Sequence, residues 1–225
     1  MPVREAALWP LHLEASMSAP TYPLTLPTSP AFVTSRWGLE SRSAISTSPF
    51  TGNQQVAEFD YALWTVDLTL PPMKRAAAVE WQAFLLQLHG RRGTFLLGDP
   101  DAATPRGAAT GTVTLGTGVT PDDFTIDLNT ASQQSTSGFL KKGDWIQIGG
   151  GSAAKLHMVM ADADTDANGD CTVTIEPKAK TSVSSGTSVV VSAAKGVFRL
   201  TTNEVYWDTN VVSNYGITLA CRESA

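Results

Sequence analysis

Residues 48–100 of this 225-residue chain set its architecture and read SPFTGNQQVAEFDYALWTVDLTLPPMKRAAAVEWQAFLLQLHGRRGTFLLGDP. Residues 59–70 alternate polar and large apolar side chains, which is the pattern of a half-buried strand, and two prolines end this run. The apolar register shifts by one between Leu63 and Trp64, which predicts a β-bulge at that point. We therefore predict two strands, a helix and a strand in this order, which is typical of a compact module with one helix packed on a sheet.

The helix is predicted over residues 73–88, because one face of this segment is apolar. Pro72 suits the first helical turn, and Gly90 suits the C-terminal cap. A short buried strand over residues 93–98 follows. The apolar stripe of the helix recurs at steps of three and four residues and consists of Ala77, Trp81, Phe84, Leu85 and Leu88.

The composition along the chain predicts three parts. Residues 1–30 are rich in proline and form an arm, with a short strand at Leu24–Leu26. Residues 31–109 and 196–225 form a β-rich hub domain that contains the helix. Residues 110–195 are rich in Thr, Ser, Gly and Asp and form an inserted all-β barrel or sandwich. The predicted fold class is therefore mainly β with one α-helix.

Turn residues divide the insertion and the C-terminal part into short strands. The strands predicted there are Gly111–Leu115, Phe124–Leu128, Asp144–Ile148, Leu156–Met160, Cys171–Ile175, Ser188–Val191, Phe198–Leu200, Val205–Trp207 and Tyr215–Cys221. In the arm, the sequence leaves open whether the apolar side chains pack on a neighbouring subunit or on their own domain. These side chains are Leu8, Trp9, Leu11 and Leu13.

Composition and charge argue against several classes of protein. Charged residues make up 16% of the chain, against about 25% in a typical domain, which favours a β-rich protein or a surface covered by partners. The net charge of −5 argues against a broad phosphate-binding surface for nucleic acid. There is no apolar run of about 18 residues for a membrane span and no signal peptide, so we expect synthesis in the cytoplasm. Cys171 and Cys221 are predicted to be buried free thiols.

The best candidate for a ligand site is the acidic segment 162–170. It matches the first half of a calcium-binding loop, which spaces oxygen ligands at every second residue, through Asp164, Asp166, Asn168 and Gly169. The final position of such a loop needs a glutamate but holds Ile175. We prefer an Asn-Gly hairpin turn between the strands Leu156–Met160 and Cys171–Ile175, and we assign no metal ligand. A calcium-dependent adhesin is the alternative.

No catalytic or cofactor site is predicted, and the chain is interpreted as a protein that is not an enzyme. Metal-ligand spacing is lacking among the histidines, which are His12, His89 and His157. Two carboxylate pairs could act in general acid–base catalysis only if they lay in a cleft. These pairs are Asp122-Asp123 and Asp99 with Asp101. Core packing, rather than stacking on sugars, is the preferred interpretation of Trp37, Trp64, Trp81, Trp145 and Trp207.

Several short segments resemble the distal tail or tail-tip proteins of tailed bacteriophages. The segments are SPFTGNQQ (48–55), WQAFL (81–85) and GTFLLGDP (93–100) in the hub, and FLKKGDWIQI (139–148) and VTIEP (173–177) in the insertion. The resemblance covers roughly residues 35–225. It consists of similar local composition and short motifs, and it includes no catalytic signature. The proline-rich start departs from the family pattern, in which the hub begins near a first strand.

The resemblance implies a structural virion protein that forms a ring, usually of six copies, between the tail tube and the tail hub. The partners would be further copies of the chain, the tail tube protein, the tail hub or tip protein and the tape measure protein. DNA would pass through the lumen without specific binding, and neither a cofactor nor membrane insertion is expected. The location would be the virion tail, after synthesis in the host cytoplasm. The alternatives are a head–tail joining or tail-completion protein, and a carbohydrate-binding module that recognises the host through aromatic side chains of the insertion.

Overall fold

A computed structural model describes residues 19–224 of the chain, so the predictions for Leu8, Trp9, Leu11, His12 and Leu13 lie outside the described residues. One α-helix, α1, spans Arg75–Gln87, and a short 3-10 helix spans Gly151–Ala153. The strands are β1 (Leu24–Thr25), β2 (Thr34–Thr47), β3 (Gln54–Thr69), β4 (Met73–Lys74), β5 (Phe95–Leu97), β6 (Val113–Leu115), β7 (Thr125–Asn129), β8 (Trp145–Ile148), β9 (Lys155–Val159), β10 (Asp170–Glu176), β11 (Ser188–Val190), β12 (Gly196–Leu200), β13 (Asp208–Thr209), β14 (Asn214–Gly216) and β15 (Thr218–Glu223).

The hub is built on a six-stranded sheet with the order β1-β5-β12-β15-β3-β2. Helix α1 covers this sheet because its apolar stripe faces inward, and Trp81 and Leu85 are fully buried. The ring of Phe84 lies 5.6 Å from that of Phe95 in β5. Each side chain of this size stabilises the fold by about 1.5–3 kcal/mol when it is buried. The predicted helix is confirmed, but it begins later, because Met73–Lys74 pairs with β14 as strand β4.

The insertion is a closed barrel with the strand order β10-β7-β6-β11-β8-β9. Alternate side chains point inward, so Ile126 and Leu128 of β7 and Val173 and Ile175 of β10 are almost fully buried. The chain leaves the hub sheet after β5 and returns to it at β12, and these two strands are paired neighbours. The predicted fold class, mainly β with one helix and a small all-β barrel, is therefore confirmed.

The predicted bulge between Leu63 and Trp64 is wrong. Both residues pair regularly with β2, and both are buried, because the strand is covered on its two faces there. The irregularity lies earlier, since Ser41 pairs with Ala62 while the next residue pairs with Phe59. The apolar pattern of the sequence therefore shifts at Leu63 and Trp64 because both faces of the strand are buried there, and not because of a bulge.

Two further local predictions are wrong. Residues 205–207 form no strand, and the short strand β13 begins at Asp208 instead. The Asn168-Gly169 turn does not join β9 directly to β10, because these strands pair only at Ile175 with Val159 and Glu176 with Met158. Loop residues separate β9 from the turn, and the start of β10 pairs with β7.

A packed junction joins the barrel to the hub. Trp64 Nε1 donates a 3.0 Å hydrogen bond to the carbonyl of Leu156, and the Trp64 ring lies 4.7 Å from that of Trp145. The buried Glu223 carboxylate accepts hydrogen bonds from Lys180 Nζ at 2.9 Å and from the backbone N–H of Trp64 at 3.3 Å. Because these contacts link both cores, the junction fixes the barrel against the hub sheet.

The described part of the predicted arm packs on its own hub. The Tyr22 hydroxyl donates a 2.7 Å hydrogen bond to the carbonyl of Gln87, and Leu24 pairs in parallel with Phe95. Within residues 19–224, no helix is long and apolar enough to cross a membrane.

The two cysteines are buried free thiols, as predicted. Burial raises the pKa of Cys171 to about 11 and that of Cys221 to about 12. Both thiols therefore stay protonated and weakly nucleophilic at neutral pH.

Candidate interaction surface

The candidate functional surface is the outer half of the β2–β3 hairpin, residues 41–60, which we call the hairpin arm. The inner halves of both strands belong to the hub sheet, whereas every residue of the arm except Ser48 is exposed. At about 3.3 Å per residue, the segment 42–47 projects about 20 Å beyond the sheet. Phe50 lies in the turn at its tip and is 94% exposed.

The arm exposes apolar side chains and carries little charge. Ile45 pairs with Val56, and Arg42 pairs with Phe59, and each cross-strand pair shares a face. Residues 43–57 contain no charged side chain, although a soluble surface usually contains about 25–35% charged residues. A two-stranded hairpin with both faces in water is marginally stable. These properties make the hairpin arm the candidate surface for contact with another chain.

An ion-pair bridge holds the base of the arm against the barrel. Lys178 Nζ lies 2.6 Å from Asp60 Oδ1 of the arm and 3.2 Å from Asp122 Oδ1 of a barrel loop. The hydrogen bonds to Asp60 and Asp122 raise the pKa of Lys178. On the opposite strand, the Arg42 guanidinium lies 4.2 Å from the centre of the Tyr61 ring. The base of the arm is therefore oriented before any partner binds.

A second exposed apolar region is the 206–212 loop, which includes the short strand β13 and precedes β14. Tyr206 is 72% exposed, Val212 is 64% exposed, and Val211 is fully exposed. Lys74 Nζ donates a 3.0 Å hydrogen bond to the carbonyl of Val212, which holds the loop against the start of the helix. The exposed side chains of this loop are available to a partner.

The acidic segment 162–170 uses its carboxylates to form a turn. Asp166 accepts 2.8 Å hydrogen bonds from the backbone N–H groups of Asp170 and Asn168, and these bonds lower the pKa of Asp166. Asp164 accepts a hydrogen bond from the backbone N–H of Gly138. Among residues 19–224, no group of three or more His, Cys, Asp or Glu side chains is arranged to hold a metal ion. The hydrogen bonds therefore match those of a structural turn.

The carboxylate pairs also serve local structure. Asp123 accepts a 2.7 Å hydrogen bond from the backbone N–H of Thr120, and Asp99 accepts one of 3.1 Å from that of Asp101. Asp122, the neighbour of Asp123, faces Lys178. The structure does not bring the two pairs together in one cleft.

The histidines and tryptophans occupy different environments. His157 is buried in the barrel, whereas His89 follows the end of the helix and is exposed. Of the tryptophans named above, Trp207 is 39% exposed. Trp145 is the only tryptophan of residues 110–195, which contain no tyrosine, and it is 5% exposed. The insertion therefore offers no exposed tryptophan or tyrosine for stacking on a sugar.

Sequence reasoning did not single out Lys178, Lys180 or Glu223, because the groups they join lie far apart along the chain. The hairpin arm, in contrast, could have been recognised from the sequence. The uncharged run 43–57 is unusual for a surface segment and would have pointed to a covered one.

No protein-family model matches the chain, and no curated protein matches it either.

Proposed function

We propose that this chain is a structural protein of a bacteriophage tail, whose copies join through the hairpin arm in a ring of about six at the distal end of the tail tube. The observation that carries the assembly role is the arm itself. Its outer part, residues 43–57, is an uncharged ribbon with exposed apolar side chains, and its shape and composition suit contact with another chain.

The phage assignment rests on the resemblance of five short segments to distal tail and tail-tip proteins. The acidic net charge of −5 is consistent with a lumen that lets DNA pass without holding its phosphates. In this role the partners are further copies of the chain, the tail tube protein and the tail hub or tip protein.

Light scattering of the full chain at several concentrations, with negative-stain imaging of large species, tests the proposal. The matched variants are Phe50→Ser in the arm and Phe124→Ser on the barrel, since both phenylalanines are more than half exposed. Burial of one phenylalanine contributes about 1.5–3 kcal/mol, so Phe50→Ser should raise the concentration needed for assembly at least tenfold. Phe124→Ser removes a ring that lies 5.5 Å from Lys178 Nζ, but it leaves the ion pairs of Lys178 with Asp60 and Asp122 in place. This control should therefore assemble like the wild type.

Both variants should keep the thermal midpoint and the circular dichroism spectrum of the wild type, because neither side chain belongs to a core. A wild-type chain that stays monomeric at every concentration would contradict the proposal. A Phe50→Ser variant that assembles as readily as the wild type would contradict the role of the arm.

A further inference from the structure

We propose that the hairpin arm of one copy docks in an apolar groove at the opposite edge of the hub sheet of the next copy. This inference rests on the proposed function, because it names the two surfaces that would meet at each contact of the ring. We call the receiving surface the edge groove. Its apolar lining includes Leu26, Pro27, Pro30, Phe32, Leu96 and Pro100.

The edge groove has the size and chemistry to receive side chains of the arm. Its volume is about 340 Å³, within the range of about 300–1,000 Å³ typical of pockets that enclose small ligands. Its only charged lining residues are Asp99 and Lys195, one of each sign. Because the arm is uncharged between residues 43 and 57, it would bring no charge of its own into the groove on contact.

The sheet order places the two surfaces where a ring needs them. The arm extends from β2 and β3 at one edge of the hub sheet, and the groove lies beside β1 and β5 at the other edge. A head-to-tail contact between two different surfaces of the same chain repeats from copy to copy, and it closes into a ring if the rotation allows. The occupant of the groove is therefore a second copy of the chain.

The size of the arm agrees with such a contact. Residues 41–60, about 20 in all, reach the lower end of the roughly 20–30 residues per side of a standard protein interface. The exposed phenylalanine at the tip, Phe50, is the type of aromatic anchor that fills a pocket at the centre of an interface.

The contact uses side chains rather than strand addition. Strand β1 pairs over only two residues, Leu24 and Thr25, and the chain beyond it contains Pro27 and Pro30. Proline lacks the backbone N–H that a neighbouring strand would need. This edge of the sheet is therefore closed to an added strand, whereas its apolar groove is left open by residues 19–224.

Photo-crosslinking of the full chain tests the assignment. The variant carries p-benzoylphenylalanine at position 50 and is mixed with isotopically labelled wild type before irradiation, so mass spectrometry distinguishes links between copies. We expect links from position 50 of one copy to residues 25–32 or 96–103 of another. Links to the 206–212 loop, to a second hairpin arm, or within one copy, including to its residues 1–18, would overturn the inference.

A charge placed in the groove gives an independent test. Thr28 is exposed and lines the groove, so Thr28→Glu should fold normally and raise the concentration needed for assembly at least tenfold. The matched control is Thr110→Glu, at an exposed threonine of the insertion. Unchanged assembly of Thr28→Glu, with the ring intact, would overturn the docking site and leave the proposed function standing. A wild type that forms no ring would overturn both.

Discussion

The buried histidine of the barrel predicts a defined loss of stability in mild acid. His157 lies in strand β9, and its Nδ1 donates a 2.6 Å hydrogen bond to the carbonyl of Pro177. Burial lowers its pKa from 6.5 to about 4, against the opposing effect of that hydrogen bond, and the positive charges of Lys180 and Lys155 lower it further. The folded barrel therefore holds a neutral imidazole at pH 7.

The size and direction of the effect follow from proton linkage. Because the folded pKa lies below the unfolded value, the unfolded chain takes up the proton first as the pH falls. The contribution of the neutral His157 to the free energy of unfolding is fully present above pH 6.5 and is lost as the pH falls from 6.5 to about 4. At about 1.36 kcal/mol per pH unit, the complete loss is about 3 kcal/mol, and most of it falls between pH 7.5 and pH 4.5.

Urea unfolding at these two pH values, below the concentration of assembly, measures the effect. The perturbing variant is His157→Asn, whose amide can still donate toward the Pro177 carbonyl, and the control is His89→Asn at the exposed histidine. The wild type and the control should each lose about 2–3 kcal/mol more than His157→Asn, because all other titrating groups are shared. Equal losses in the wild type and His157→Asn would refute the reasoning.

Three further predictions concern the junction and the turns. Lys180→Met leaves the buried Glu223 carboxylate without its cation and should lower the free energy of unfolding in urea by about 2–3 kcal/mol. The double variant Lys180→Met with Glu223→Leu should regain most of this stability. A double variant no more stable than Lys180→Met alone would contradict this prediction. Gly169→Ala should cost at least about 2 kcal/mol, because φ is +85° and a Cβ would overlap a carbonyl oxygen. Gly52→Ala, with φ of +72° and open space, should cost less, and equal losses would contradict the steric argument. A calcium chelator should leave the thermal midpoint unchanged, because backbone N–H groups occupy the carboxylates of the loop 164–169, and a lower midpoint would favour a calcium site.

The fold could be predicted where local periodicity and burial agree. The helix is an example, because its stripe at Trp81 and Leu85 faces a single core. The prediction failed at Leu63 and Trp64, where the strand passes between the hub and the barrel and both faces are buried. A change from one buried face to two looks like a register shift in the sequence.

The candidate surface was harder to predict, because the sequence does not show which side chains are covered by the same chain. Ile45, Val56 and Phe59 follow a strand pattern that suits a core, yet each is more than half exposed. The junction pair of Lys180 and Glu223 depends on two segments that only the folded barrel brings together. Residues that meet only in the folded structure cannot be recognised as a pair from their spacing in a single sequence.

The structure of the arm also bears on the energetics of assembly. A disordered segment that folds on binding must lose backbone entropy of about 1–2 kcal/mol per residue at the moment of contact. The base of the hairpin arm has already lost this entropy, because the inner ladder of β2 and β3 fixes its register and Lys178 ties it to the barrel. Binding then has to order the turn around Phe50 and a few side chains. In the proposed ring, the apolar contacts of the arm would therefore be offset by little further loss of backbone entropy.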